Sequence, residues 1–232
     1  MPTVHTMVPS LVLLPSPLLG PSVWRPVARV LADLGWHTVI GTVPEPVLRG
    51  EDVLDAFLAA LPVDRDVVLV AHSNAGAYVP ELAVRRPVVA AVFVDAVLPP
   101  RNGRVPLAPP AFLEVLREKA DDDGLLPPWT SWWDEVEVAA LFPNAQSRAA
   151  VEQEQQRLPL SYFTQALAVP PGWDKLPGAY VAFGDTYAAD RDAAAQRGWP
   201  VRTLPAGHLR QLHDPDQVAD TLLALLGQVV PG

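Results

Sequence analysis

Short runs rich in apolar and β-branched residues, several of them apolar throughout, alternate along this chain with stretches whose apolar residues recur at helical spacing. The runs at 11–14, 37–40, 66–70, 88–94, 179–183 and 201–204 read as strands. Between them, 22–34 carries Val23, Val27, Val30, Leu31 and Leu34 on one helical face, with Gly35 placed to end it. Residues 51–61 repeat the pattern with Val53, Leu54, Phe57, Leu58 and Leu61, and Pro62 stops it. Further helices are expected at 74–84, 188–197 and 215–226, whereas Pro15, Pro17 and Pro21 make 15–21 a loop. Strands apolar throughout, set between amphipathic helices, predict a mostly parallel sheet of about six strands covered on both faces.

The alternation lapses from about 100 to 171. Prolines and the run Asp121, Asp122, Asp123, Gly124 break this stretch into helical pieces at 111–120, 136–141 and 149–158. It also holds Trp129, Trp132 and Trp133. No repeat and no linker divides the chain. The expected organisation is one α/β core from 1–99 and 172–232, with 100–171 inserted as a small helical unit.

Composition narrows the function. Half of the 232 residues are hydrophobic, enough for a full core. A formal charge of -9 argues against nucleic acid or an anionic membrane as partner. With no Cys, disulfides, thiol catalysis and thiolate metal sites are excluded together. No apolar run is long enough to span a membrane. The first 19 residues lack a basic start and are broken by Pro2, Pro9, Pro15 and Pro17, so a signal peptide is not expected and a cytoplasmic protein is. There is no glycine-rich dinucleotide loop, no P-loop and no His/Asp cluster at metal-ligand spacing, so no cofactor and no metal is implied.

The candidate chemistry centres on the strand that ends Val70, Ala71, His72, Ser73, Asn74, Ala75, Gly76. Ser73 stands where an apolar strand must turn at once into a helix, and small residues two places either side let that turn close. This resembles the G-x-S-x-G nucleophile elbow of the α/β-hydrolase superfamily, with Ala71 and Ala75 in place of both glycines. The layout is similar to the small capped group that includes plant esterases and hydroxynitrile lyases. The resemblance implies an α/β-hydrolase fold, a Ser nucleophile, a helical cap over 100–171, and a His base after the last strand. Of the histidines at 5, 37, 72, 208 and 213, His208 holds that place. The acid stays open between Asp95 and Asp185. The usual offset falls on Tyr187, which cannot serve, and Asp190 and Asp192 read as solvated helix residues.

The oxyanion hole implied by the resemblance would use the N–H of Asn74 and a second N–H from the loop after the first strand. That second position falls on Pro17, which has no N–H, leaving Leu18 N–H or the Ser16 hydroxyl as substitutes. Ser16, Pro17 and Tyr187 are expected at the substrate pocket. Trp129, Trp132 and Trp133 either line it or glue the cap to the sheet. Leu209, where the lyases carry a Lys, disfavours cyanohydrin cleavage, and Ser73 excludes an Asp nucleophile. Three readings follow. One is a serine hydrolase of a small apolar ester, thioester or lactone. Another is a lyase, cyclase or isomerase of natural-product metabolism that reuses the pocket. The third is a silent ligand-binding member of the fold. The expected partner is a small apolar molecule, with a homodimer open.

Overall fold

The structure is a computed structural model, and it describes residues 9–205 and 207–230. His5, Pro2, Ala206 and the last two residues lie outside the described part. Eight strands run in chain order: β1 (Ser10–Leu14), β2 (Thr38–Ile40), β3 (Val67–His72), β4 (Val88–Val94), β5 (Gly103–Pro106), β6 (Ala166–Val169), β7 (Gly178–Ala182) and β8 (Val201–Thr203). Six of them form one parallel sheet in the order β2-β1-β3-β4-β7-β8. β1, β3 and β7 are buried at every position, which is why they read as unbroken apolar runs.

The core helices are α1 (Arg25–Asp33), α2 (Gly50–Ala60) and α3 (Val79–Arg85). In segment 100–171 follow α4 (Pro110–Lys119), α5 (Glu135–Ala140), α6 (Ala145–Glu152) and α7 (Leu160–Phe163). The chain closes with α8 (Ala188–Gln196), α9 (Arg210–His213) and α10 (Pro215–Val229). The chain leaves β1 toward one sheet edge, returns to β3, and proceeds to the other edge. The switch between β1 and β3 leaves a crevice at the carboxyl ends of the strands, the usual ligand position in open α/β sheets. Trp24 plugs that end of β1, its indole N–H donating to Leu14 O at 3.1 Å.

Three local expectations differ from the structure. The helix after Ser73 begins as a 3-10 helix (Ser73–Tyr78), and regular α geometry starts only at Val79. Pro80 has no N–H to donate to Gly76 O, so an α-type bond cannot form there. Gly76 also sits against the β4 side, where a Cβ would come within 2.0 Å of Val97 O. In segment 100–171, β5 and β6 form an antiparallel pair that closes the segment's two ends together, Gly103 opposite Val169 and Pro106 opposite Ala166. The helix expected at 149–158 lies earlier, at Ala145–Glu152, capped by Asn144 Oδ1, which accepts from Ser147 N–H at 2.8 Å. Beyond it the glutamines serve other segments. Gln155 Oε1 accepts from Thr130 N–H and Oγ1–H, and Gln156 bonds Val47 N–H and Pro44 O.

Candidate active site

Five of the sheet's carboxyl-end loops, those after β1, β3, β4, β7 and β8, meet around Ser73. The residue takes φ 58, and Asp95, just past β4, takes φ 43; these are the non-glycine residues with positive φ among the described residues. Such a conformation costs on the order of 1–3 kcal/mol and persists only where its surroundings enforce it. Here Val97 N–H holds Ser73 O at 3.2 Å, and the Tyr180 hydroxyl brackets Ala96, donating to its carbonyl at 2.7 Å and accepting from its N–H at 3.0 Å.

His208 links the two. Its Nε2 lies 3.0 Å from Ser73 Oγ and its Nδ1 lies 2.6 Å from Asp95 Oδ2. A carboxylate only accepts, so Nδ1 carries the proton and Nε2 is free to accept from the Ser73 hydroxyl. Asp95 is fully buried, and its other oxygen accepts from Phe183 N–H at 3.0 Å. Asp185, the alternative acid, is corrected by this geometry. Its side chain is 88% exposed and pairs with Arg191 at 3.0 Å. It follows β7 directly and turns to solvent, whereas Asp95 is carried by the strand adjacent to β3.

His72 stacks on His208 with ring centroids 4.6 Å apart and donates from Nε2 to His208 O at 3.0 Å. Burial, reinforced by the neighbouring His208, holds its pKa well below 6.5, so it is a neutral prop beneath His208. The expected oxyanion partners are less complete. Asn74 N–H lies in the first turn after the elbow, where helical N–H groups have no intrahelical acceptor. Leu18 N–H donates to Ser16 Oγ at 3.3 Å. Ser16 and Pro17 are buried within their loop and do not line the cavity, which removes them from the substrate-contact set; Leu18 does line it.

Above Ser73 lies a cavity of about 660 Å³. Its walls include Trp129, Trp132, Trp133, Phe112 and Leu107, all from segment 100–171, with Tyr187 and His208 from the core. Trp129 reaches within 6.0 Å of the His208 ring, and Trp133 stacks on Phe112 at 6.3 Å while remaining 41% exposed. Asp190 is not the solvated residue expected. It reaches the cavity, Oδ1 accepting from Leu98 N–H at 2.7 Å, and burial raises its pKa above 3.8. Among the described residues no Lys or Arg lines the cavity, and no group of three His, Cys, Asp or Glu is spaced to hold a metal ion.

A polar network invisible to motif reading ties the elbow to segment 100–171. The Asn74 side chain donates to Leu107 O at 2.9 Å and accepts from the Tyr162 hydroxyl at 2.8 Å. Tyr78 in turn donates to Tyr162 at 2.7 Å. Burial drives both phenols' pKa upward, so both stay protonated donors. Only a polar residue at 74, next to Ser73, hinted at this in sequence.

The sequence model of the alpha/beta hydrolase family matches residues 11–221. The chain belongs to that family. As an α/β-hydrolase it superposes on polyneuridine aldehyde esterase with a TM-score of 0.70 at 17% identity, over 94% of this chain and 99% of that one. An extracellular α/β-hydrolase from a Paenibacillus species, described as homologous to tobacco salicylic acid binding protein 2, gives 0.68 at 14%, over 97% and 100%. A variant of tomato methylketone synthase I gives 0.70 at 15%, over 96% and 100%. At these identities the likeness is one of fold. No curated protein matches the sequence. Among the described residues of this α/β-hydrolase, no helix is long and apolar enough to cross a membrane.

Proposed function

We propose that this α/β-hydrolase is a serine hydrolase of small, apolar, uncharged carboxylic esters, thioesters or lactones. The observation that supports this reading best is His208, held between Asp95 and Ser73 at 2.6 and 3.0 Å. In the proposed reaction Ser73 Oγ attacks the carbonyl carbon as its proton passes to His208 Nε2. Asp95 keeps the imidazole in the accepting tautomer and stabilises the imidazolium. The carbonyl oxygen, now negative, is met by Asn74 N–H at the elbow. His208 then returns the proton to the departing oxygen or sulfur, and water repeats the sequence on the acyl-enzyme.

Segment 100–171 serves in this reading as the cap, with Trp129, Trp132 and Trp133 as substrate contacts. The aromatic walls, and the absence of a cationic lining residue among those described, favour a substrate without phosphate or free carboxylate. The fold neighbours include an esterase by name, which agrees with this choice. The test is hydrolysis of p-nitrophenyl butyrate. The wild type turns it over, and Ser73→Ala lowers kcat by about 10⁵- to 10⁶-fold, as loss of a serine nucleophile does elsewhere.

One observation favours a second reading. Pro17 supplies no N–H and Leu18 N–H is engaged by Ser16, so one oxyanion donor is weak. Loss of one such donor costs about 2.7–4 kcal/mol in a hydrolase. A lyase, cyclase or isomerase that uses His208 for proton transfer would need no acyl-enzyme. Retained turnover of the natural substrate by Ser73→Ala would select it over hydrolysis.

A further inference from the structure

Ser73 Oγ has a second partner that the serine-His-Asp arrangement does not use. The Tyr187 hydroxyl lies 3.3 Å away, and Ser73 is its one hydrogen-bond partner among the described residues. The proton inventory fixes the direction. Ser73 has a single proton, and in the resting site it is directed to His208 Nε2. Tyr187 O–H is therefore the donor and Ser73 Oγ the acceptor. Burial pushes the phenol up to about 12, so the donor is present at neutral pH.

Its side of approach matters. Tyr187 follows β7, two strands beyond β3 in the sheet, whereas the Pro15–Gly20 loop and its N–H groups follow β1 on the other side. His208 must reach the leaving group to protonate it, so in the proposed reaction the leaving group lies on the His208 side of the carbonyl carbon. Tyr187 and His208 stand together there, with ring centroids 5.8 Å apart.

We propose that Tyr187 is a catalytic residue whose hydroxyl donates first to Ser73 Oγ and then to the leaving-group oxygen of the tetrahedral intermediate. The proposal rests on the serine hydrolase reading above. When Oγ bonds to the carbonyl carbon, its proton goes to His208 and its own basicity falls. The leaving oxygen is attached to the same carbon and gains negative charge as its bond to carbon breaks. The Tyr187 hydrogen bond transfers to that oxygen through a small rotation, and Tyr187 keeps its own proton throughout. His208 supplies the proton that leaves with the alcohol. The device serves substrates whose leaving group is a poor one, an alkoxide, because a nitrophenolate departs without help.

The experiment compares ethyl butyrate with p-nitrophenyl butyrate for wild type, Tyr187→Phe and Ser73→Ala, with circular dichroism to check the fold. Removing one hydrogen bond to a charged oxygen predicts a loss in kcat/KM of about 10- to 100-fold on the ethyl ester, against about 3-fold or less on the nitrophenyl ester. Equal losses on both esters, or no loss on the ethyl ester, overturn the role of Tyr187. Ser73→Ala separates the two levels. If it abolishes both activities while Tyr187→Phe leaves their ratio unchanged, only the tyrosine proposal falls. If Ser73→Ala keeps its activity, the serine hydrolase reading falls and the tyrosine proposal with it.

Discussion

At the scale of residues, the decisive pair is Asp95 and Asp185, which the sequence leaves open between them. Both follow a strand of the parallel sheet, and both sit near a turn. What separates them is backbone direction. Asp95, at φ 43, turns its carboxylate inward beneath His208, whereas Asp185 points to solvent and Arg191. Asp95→Asn is expected to lower kcat about 10⁴-fold, since an amide in that place favours the wrong imidazole tautomer. Asp185→Asn is expected to leave kcat within about 2-fold, because it breaks only an exposed ion pair. Steady-state rates on p-nitrophenyl butyrate check both. Ser73 and His208 were legible because each stands in a local pattern, strand then small residues then turn. The carboxylate that faces His208 was not, because its placement depends on which strand lies beside β3 and on one dihedral angle.

At the scale of elements, every strand of the six-stranded sheet was readable from its apolar or β-branched residues, to within a few residues. The β5–β6 pair was not. Each strand has four residues, and the two lie at opposite ends of segment 100–171, so no local turn signal joins them. The aromatic residues of that segment were legible as a pocket wall or as glue, and the structure gives them both surroundings. Trp129 and Trp132 are buried and also line the cavity. What no pattern could show is the Asn74–Tyr162–Tyr78 chain, since hydrogen bonds between hydroxyls far apart in sequence leave no periodicity. Tyr162→Phe strands Asn74 Oδ1 and removes the acceptor of Tyr78 in a fully buried place. It is expected to cost about 1–3 kcal/mol of unfolding free energy, read by urea denaturation. A loss smaller than about 0.5 kcal/mol would mean the network does not join elbow and segment.

At the scale of the whole molecule, the parallel sheet gathers the loops after β1, β3, β4, β7 and β8 at one edge, and the candidate chemistry lies there. The same construction gives the protein a sensitivity to acid. His72 is neutral in the folded state because burial lowers its pKa well below 6.5, its unfolded value. Its contribution to stability is therefore complete above that value and is lost as pH falls below it, since the unfolded chain then binds the proton that the folded chain refuses. The limiting slope is about 1.4 kcal/mol per pH unit for one such group. Unfolding free energies measured from pH 7.5 down to 5.5 are expected to decline, and His72→Gln to flatten that decline. An unchanged slope in the variant would place the acid sensitivity elsewhere.

In the proposed function Ser73 is a nucleophile activated by His208 and Asp95. Intact-protein mass spectrometry after exposure to a fluorophosphonate tests it without knowledge of the natural substrate. A single adduct is expected, mapped to Ser73, absent in Ser73→Ala and formed far more slowly in His208→Ala. Failure of the folded wild type to form any adduct, or an adduct at another residue, would contradict it.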